Sequence, residues 1–255
     1  MNFFFIPFFY FYHSRLRTLI KTVSWFFIYI IPIFILAFSN GIVSLNELAF
    51  LFLFIIGIYN LYEIGYINND CETIKKENNP TLRLSKSEMH YYNKKKLLIY
   101  SVRVLISLTI GMLLSLNEKI SIHYLVISYV GLLITFVLYN HIRSIANLPI
   151  HFLLVLFRFS SFSLVFNLGY ECFMFSILIF PLINLIERSG EIRFKLTFFQ
   201  KGIFLNRNLF RVLYYFILTL GLYFFNIYGG VLYTAIYMLS YRITSPLIFS
   251  IIKKS

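Results

Sequence analysis

Eight long apolar runs fill most of this sequence, and they constrain its fold more than any other feature. They cover residues 24–40, 47–66, 97–116, 122–139, 149–168, 172–186, 209–227 and 229–250. A helix needs roughly 20 apolar residues to cross the hydrocarbon core of a bilayer, and most of these runs approach that length. The charged fraction is only 13%, against about 25% in soluble domains. The runs therefore predict an all-α, polytopic membrane bundle of about eight to nine helices, which forms a single domain over residues 1–255.

The basic residues lie almost entirely on one side of this predicted bundle. With loops that alternate sides, one face holds 19 Lys and Arg residues, and the opposite face holds Lys119 alone. The basic face comprises the N-terminal segment to Lys21, the loops 67–96, 140–148 and 187–211, and the C-terminal lysines. Positively charged loops stay in the cytoplasm. We therefore expect both termini and both long loops to be cytoplasmic, in a bacterial inner membrane.

Other classes of protein fit the sequence poorly. The net charge of +13 is explained by topology, and the chain lacks the basic soluble module that nucleic-acid binding requires. Cys71 and Cys172 lie far apart without metal-type spacing, which predicts two ordinary thiols. At the N-terminus the apolar residues precede the basic ones, the reverse of a signal peptide. We interpret this stretch as mature sequence and expect an interfacial helix there.

The first polar cluster follows the second apolar run, in the stretch "GYINNDCETIKKENNPTLRL" over residues 65–84. Asn69, Thr73 and Glu77 are spaced i, i+4 and i+8, so they share one face if the helix continues beyond the membrane. A solvated helix end, with acids balanced by Lys75 and Lys76, is the alternative interpretation.

The second polar cluster ends the sixth apolar run, in the stretch "LINLIERSGEIRFK". Asn184, Glu187 and Glu191 follow an i, i+3, i+7 pattern, which places three oxygen-bearing side chains on one stripe. The two clusters open the only two long loops, both on the predicted cytoplasmic face. Facing sets of carboxylate and amide oxygens suit Mg²⁺ bound to a diphosphate, and nearby basic side chains neutralise the leaving phosphate charge.

Four charged residues lie inside the apolar runs themselves. They are Glu63, Arg103, Arg158 and Arg242. Ionisable groups at membrane depth are costly and usually face a bundle interior or a polar cavity, so each is a functional candidate. Snorkelling toward a headgroup is the alternative, and it is hardest for Arg158 near the middle of its run. Pairing of Arg158 with Glu63 is a structural alternative.

The two clusters together resemble the motifs of the UbiA superfamily of intramembrane transferases. That family carries N-D-x-x-D-x-x-x-D after its second helix, then a basic turn, and a second acidic motif after its sixth helix. Here "NDCETIKKE" begins at Asn69, "NPTLRL" follows, and "ERSGE" begins at Glu187. Thr73 replaces the middle acid of the first motif, and Glu72 stands one residue earlier, about 100° away on a helix.

Shorter matches point to one branch of that family. "LYNHIRS" supplies Tyr139 and Arg143, similar to the family's Tyr followed four positions later by a basic residue. Members that transfer phosphoribosyl groups to polyprenyl phosphates carry K-R-x-x-E-L in the second motif and an arginine in the fifth helix. Here "ERSGEI" and "LFRFSS" supply Arg188, Glu191 and Arg158 at those positions, with Glu187 in place of the lysine.

The resemblance implies a Mg²⁺-dependent transferase that moves a phosphoribosyl group from phosphoribosyl diphosphate to a polyprenyl phosphate, for cell-envelope glycan synthesis. The expected metal ligands are Asn69, Asp70, Glu72, Glu77, Glu187 and Glu191, and of these Asp70, Glu77 and Glu191 are expected to be catalytic. The expected substrate-binding residues are Lys75, Lys76, Arg83, Tyr139, Arg143, Arg158, Asn184 and Arg188. A prenyl diphosphate donor is one alternative, and a non-catalytic transporter, flippase or scaffold is another.

Overall fold

Helices form all of the regular secondary structure in the described part of the chain. The computed structural model describes residues 1–76 and 80–252, and these contain no β-strand. The main helices are α1 Leu19–Ser39, α2 Leu45–Cys71, α3 Lys86–Ser115, α4 Ile122–His141, α5 Asn147–Phe159, α6 Ser161–Val165, α7 Tyr170–Ser189, α8 Arg207–Phe224 and α9 Gly230–Ile252. The predicted all-α class is confirmed.

Five of the described helices are long and apolar enough to cross a membrane. They are α1, α2 with the turn that follows it, α3, α4 and α7. The outer faces of α3 and α4 expose large apolar side chains such as Leu105, Met112 and Ile134, which suits contact with lipid. These helices indicate an integral membrane protein. The other predicted runs lie on the shorter α5 with α6, on α8 and on α9, and a count of eight to nine spans stays a prediction.

Helix α2 lies at the centre of the bundle, between α3 and α4. Its approach to α4 depends on two glycines. A Cβ atom on Gly57 would lie 2.0 Å from the Tyr129 hydroxyl, and one on Gly65 would lie 2.2 Å from the Phe136 ring. Nonbonded heavy atoms do not approach each other this closely, so a Cβ atom at either position would clash with α4. The two glycines therefore set how closely α4 packs on α2.

Helix α2 ends earlier than the sequence pattern assumes. Its α-helical part stops at Cys71 and a 3₁₀ turn follows over Thr73–Lys76. Asn69 and Thr73 therefore do not continue one α-helical face. Glu77 and the side chain of Lys76 lie outside the described residues.

The N-terminal segment, residues 1–18, packs into the bundle instead of forming the expected interfacial helix. It makes short helical turns over Asn2–Phe4, Phe9–Phe11 and Tyr12–Leu16. Phe4 and Tyr10 are completely buried. Irregular backbone among apolar helices needs polar partners, because neither lipid nor apolar side chains can form hydrogen bonds with it.

Glu63 and Arg103 supply those partners. The two form a fully buried ion pair at 2.6 Å between α2 and α3. Glu63 accepts hydrogen bonds from the backbone N–H groups of Phe8 and Phe11, at 3.0 and 2.6 Å. Arg103 donates to the carbonyl of Phe4 at 2.8 Å and also to the carbonyls of Phe3 and Ile6. The two charges anchor the N-terminal segment, and Glu63 pairs with Arg103 and not with Arg158.

Candidate functional site

A polar cavity opens beside the end of α2. Its volume is about 360 Å³. The lining consists of basic, aromatic and amide side chains with few aliphatic ones: Arg15, Tyr62, Tyr66, Asn69, Ile74, Thr81, Arg83, Phe136, Tyr139, Arg143, His151 and Arg188. Five of the predicted site residues therefore meet here. They are Asn69, Arg83, Tyr139, Arg143 and Arg188. We call this space the arginine cavity.

The four arginines reach the cavity from four different parts of the chain. Arg15 comes from the N-terminal segment, Arg83 from the loop before α3, Arg143 from the turn after α4, and Arg188 from the end of α7. Arg15 also lies over the ring of Tyr66, with its guanidinium carbon 4.3 Å from the ring centroid. A concave site with several guanidinium groups favours a ligand with more than one negative charge.

Asp70 lies beneath the cavity and orients two of these arginines. Its side chain is fully buried. Arg15 donates two hydrogen bonds to it, at 2.7 and 3.0 Å, and Arg83 donates one at 3.1 Å. The Tyr10 hydroxyl donates another at 3.0 Å. The Asn69 amide donates a fifth hydrogen bond, at 3.3 Å, so Asp70 fixes the positions of both guanidinium groups.

Two of the groups that contact Asp70, Tyr10 and Arg15, have shifted pKa values. Burial, with the Asp70 carboxylate next in importance, raises the pKa of Tyr10 far above its usual range. The phenol therefore stays protonated and donates a hydrogen bond to Asp70. Burial alone would lower the pKa of Arg15, but its hydrogen bonds and charge interaction with Asp70 outweigh burial and raise that pKa. Arg15 therefore stays cationic.

Arg188 is held by a second network on the opposite side of the cavity. Its Nη2 donates to the Tyr139 hydroxyl at 2.7 Å and to the Asn147 side-chain carbonyl at 3.2 Å. Glu191 pairs with Arg188 at 3.3 Å and with Arg193 at 2.8 Å. Glu191 is therefore close to the cavity but engaged by two arginines.

Glu72 and Lys75 face a different polar space. Glu72 accepts hydrogen bonds from Lys75, Lys96 and Tyr92, at 2.9, 2.7 and 2.9 Å. Both Glu72 and Lys75 line a second cavity of about 350 Å³, which shares Arg143 with the arginine cavity. Glu72 does not replace the missing acid at Thr73, because it points toward α3.

Glu187 and Asn184 face a third place, on the far side of α7. Glu187 forms a bidentate ion pair with Arg211 of α8. The Asn184 amide donates to the carbonyl of Phe180 at 2.7 Å. Both side chains line a small space together with Arg242 of α9. Residues 187 and 188, about 100° apart on the helix, thus face different spaces, and only Arg188 of the two reaches the arginine cavity.

The described residues do not form a ready metal centre. Among them, no group of three or more His, Cys, Asp or Glu side chains comes together as a metal ion would require. Each carboxylate expected to bind Mg²⁺ within this part of the chain instead accepts hydrogen bonds from basic side chains. Glu77 lies outside the described residues. A Mg²⁺ ion at this site stays a prediction.

Arg158 lies next to the arginine cavity, inside a cluster of aromatic rings. Its guanidinium carbon is 3.9 Å from the ring centroid of Tyr62, 4.4 Å from that of Tyr59 and 5.4 Å from that of Phe11. Its Nε is enclosed and has no hydrogen-bond partner. No acidic side chain of the described residues forms an ion pair with it. Arg158 is a cation stabilised by π-faces.

Several cavity residues were missed from the sequence. Arg15 was assigned to the membrane interface, and His151 and Asn147 were not singled out. A signal was available for α5, because Asn147, His151 and Arg158 are spaced i, i+4 and i+11 in an otherwise apolar helix and so share one face. No comparable local signal marks Arg15, because only the folding of the N-terminal segment onto α2 brings it to the cavity.

Comparisons with known proteins add no relatives to this description. No family model matches the chain, and neither the curated proteins nor the solved structures contain a significant match.

Proposed function

We propose that the protein is a membrane transferase that binds a diphosphate-bearing donor in the arginine cavity. The observation that carries this proposal is the convergence of Arg15, Arg83, Arg143 and Arg188 on one space of about 360 Å³. Guanidinium groups bind phosphate oxygens in bidentate fashion, and they keep their charge at any physiological pH.

The arrangement of the arginines suits bond cleavage as well as binding. When the bond between the donor carbon and the diphosphate oxygen breaks, the electron pair stays on the diphosphate and its negative charge increases. Positive groups already fixed in place stabilise that charge without reorganising. Asp70 fixes Arg15 and Arg83, and the Tyr139 and Asn147 side chains fix Arg188. An acceptor oxygen then forms the new bond to the same carbon.

Phosphoribosyl diphosphate is the donor that we favour, with a polyprenyl phosphate as acceptor and free diphosphate as the second product. The polar lining of the cavity supports a sugar-phosphate donor, because Asn69, Thr81 and His151 can hydrogen-bond to hydroxyl groups. The acceptor's lipid chain would remain in the bilayer.

The spans on α5 with α6, on α8 and on α9 would bring the total to eight, with both termini and the arginine cavity on the cytoplasmic side. The protein would act in a bacterial inner membrane, in synthesis of a cell-envelope glycan. A Mg²⁺ ion would arrive with the donor's diphosphate and retain much of its water.

The donor can be identified with purified protein. Labelled phosphoribosyl diphosphate, a polyprenyl phosphate and Mg²⁺ should yield a labelled lipid, and Arg188→Gln should lose this product. A labelled product from a prenyl diphosphate alone would overturn the choice of donor. If no product forms and neither donor binds, the result would favour a scaffold or transporter.

A prenyl diphosphate donor is the second candidate because of one specific feature. An apolar groove of about 460 Å³ lies beside the arginine cavity, between the N-terminal segment, α1 and α2. A prenyl diphosphate could place its apolar chain in this groove and its diphosphate among the arginines of the cavity. The same assay with each labelled donor distinguishes the two.

A further inference from the structure

The small space between α7, α8 and α9 carries more positive than negative charge, and we call it the Arg242 pocket. Its charged lining residues are Glu187 of α7, Arg211 of α8 and Arg242 of α9. Glu187 and Arg211 neutralise each other in a bidentate ion pair. Arg242 is only 7% exposed, and no acidic side chain in the described part of the chain pairs with it. The pocket therefore holds one uncompensated positive charge.

The sequence around Arg242 offers no acid either. Glu191 is the last Asp or Glu in the chain, and every charged side chain after it is basic. A guanidinium that is buried among apolar helices without an anion is costly, and such groups normally acquire a partner. Because the neighbouring chain does not supply that partner, an anion from solution is the remaining source.

The hydrogen-bonding groups left free in the pocket are mainly donors. Arg211 uses Nε and Nη2 for Glu187, so its Nη1 group has no acceptor among the residues that the structure describes. The Nε of Arg242 is enclosed and also lacks a partner. Both carboxylate oxygens of Glu187 are occupied, which leaves the neutral side-chain carbonyl of Asn184 as a possible acceptor. The pocket is thus suited to an anion and not to a second cation.

The size of the pocket limits the anion to a single atom. Its volume is about 10 Å³, close to the minimum that holds one water molecule. Phosphate, sulfate and carboxylate groups contain several heavy atoms and do not fit. A water molecule would fit and accept hydrogen bonds, but it would leave the charge of Arg242 uncompensated. A halide ion satisfies both the size and the charge.

We propose that the Arg242 pocket binds one chloride ion between the guanidinium groups of Arg211 and Arg242. The ion neutralises the excess charge and links α9 to the ion pair that joins α7 and α8. This inference does not depend on the proposed transferase function, because none of the residues that line the pocket also lines the arginine cavity. Since the unfolded chain lacks the site, chloride stabilises the folded protein.

Thermal unfolding in detergent micelles, followed by Trp25 emission, tests the chloride site. Chloride replaces gluconate at constant ionic strength, so that general screening by salt stays the same. For a dissociation constant of about 10 mM, the wild-type midpoint should rise by about 3–5 °C between about 1 and about 100 mM chloride. Arg242→Gln should lose this rise. The matched Arg207→Gln, which removes an exposed charge at the start of α8, should keep it. A rise that persists in Arg242→Gln, or that is missing from the wild type, would overturn the proposal.

The order of stabilities in the two salts shows whether Arg242 acts through the anion. In gluconate the wild type contains an unpaired buried cation, so Arg242→Gln should unfold at the same temperature or a higher one. In saturating chloride the wild type should be the more stable of the two. If Arg242→Gln unfolds below the wild type by the same amount in both salts, Arg242 contributes packing alone and the chloride site is wrong.

A direct measurement on wild-type protein needs no variant. Bromide carries the same charge as chloride and scatters X-rays anomalously. Crystals grown in bromide should show an anomalous peak between the guanidinium groups of Arg211 and Arg242. A water molecule without anomalous signal at that position, or a lipid phosphate in contact with Arg242, would overturn the proposal.

Discussion

Replacing Arg103 by Met should release the N-terminal segment and strongly destabilise the protein. Arg103 is fully buried and donates hydrogen bonds to Glu63, to Asn60 at 2.9 Å and to the carbonyls of three residues of the segment. Met has a similar length and can fill the space, but it donates nothing. The substitution therefore removes one charge and leaves the Glu63 carboxylate buried without its cation.

The expected cost follows from that unpaired charge. Breaking a buried ion pair by removing one partner costs about 3–5 kcal/mol. Three backbone carbonyls also lose a donor, so the upper part of this range applies. The exposed pair of Lys119 and Glu47, also at 2.6 Å, is the matched control, because the Lys119 side chain is 75% exposed. Lys119→Met should cost less than about 1 kcal/mol.

Tryptophan fluorescence provides a direct assay. The chain has one Trp, and Trp25 packs on the rings of Phe8, Phe11 and Tyr59, at centroid distances of 6.0, 5.3 and 5.2 Å. Release of the N-terminal segment removes two of these rings, so Trp25 emission should shift to the red in Arg103→Met under native conditions. Denaturant titration in detergent micelles, followed by the same emission, gives the change in unfolding free energy.

A double variant tests the reason for the loss. Glu63→Gln combined with Arg103→Met removes both charges and should recover at least about 1 kcal/mol relative to Arg103→Met, because no uncompensated carboxylate remains. If Arg103→Met unfolds at the same denaturant concentration as Lys119→Met, the buried pair does not anchor the segment. If the double variant is as unstable as the sum of the single ones, charge pairing is not the cause.

Three further predictions concern the cavity and its packing. Gly65→Ala should destabilise the protein by about 1–3 kcal/mol and displace Phe136 from the cavity wall, whereas Gly221→Ala, with nothing within 4 Å of its added Cβ, should be neutral or stabilising by up to about 1 kcal/mol, as denaturant titration would reveal. Asp70→Asn should weaken donor binding about tenfold in a filter-binding assay, because Arg15 and Arg83 lose the charge-assisted hydrogen bonds that orient them, each of about 1.5–3 kcal/mol. Because Asp70 orients arginines and does not bind metal in this account, the fold losses in donor binding caused by Asp70→Asn and by a Mg²⁺ chelator should be independent and should multiply when combined. If the chelator does not weaken donor binding by the Asp70→Asn variant any further, Asp70 is a metal ligand.

The helices could be predicted from the sequence because their signals are local. Each of the eight apolar runs overlaps one or more described helices. In addition, α2 and α3 begin at Ser-x-x-Glu capping boxes, a pattern that can be recognised in the sequence. The cavity was predicted in part, since Asn69, Arg83, Tyr139, Arg143 and Arg188 do meet. Tyr139 ends an apolar run, and the other four lie in loops at the same predicted membrane face.

Partner choice could not be predicted, because it depends on contacts between distant segments. Asp70 binds Arg15 from 55 residues away, and Glu187 binds Arg211 of the next helix. The sequence pattern placed Asp70 and Glu187 among the ligands of one Mg²⁺ site. Residue spacing alone does not show which side of α7 faces α2, so it could not separate them. The N-terminal segment was misplaced for the same reason: its anchor, Arg103, is about 100 residues away.

Donor binding by two neighbouring arginine variants tests the central claim most directly. Arg188 lines the cavity and Arg193 does not, yet both pair with Glu191 and both carry one positive charge near the same helix end. Equilibrium binding of labelled phosphoribosyl diphosphate should weaken at least about tenfold in Arg188→Gln, which loses a charge-assisted hydrogen bond to phosphate, and change less than about twofold in Arg193→Gln. Equal binding by both variants and the wild type would contradict the arginine cavity as the donor site.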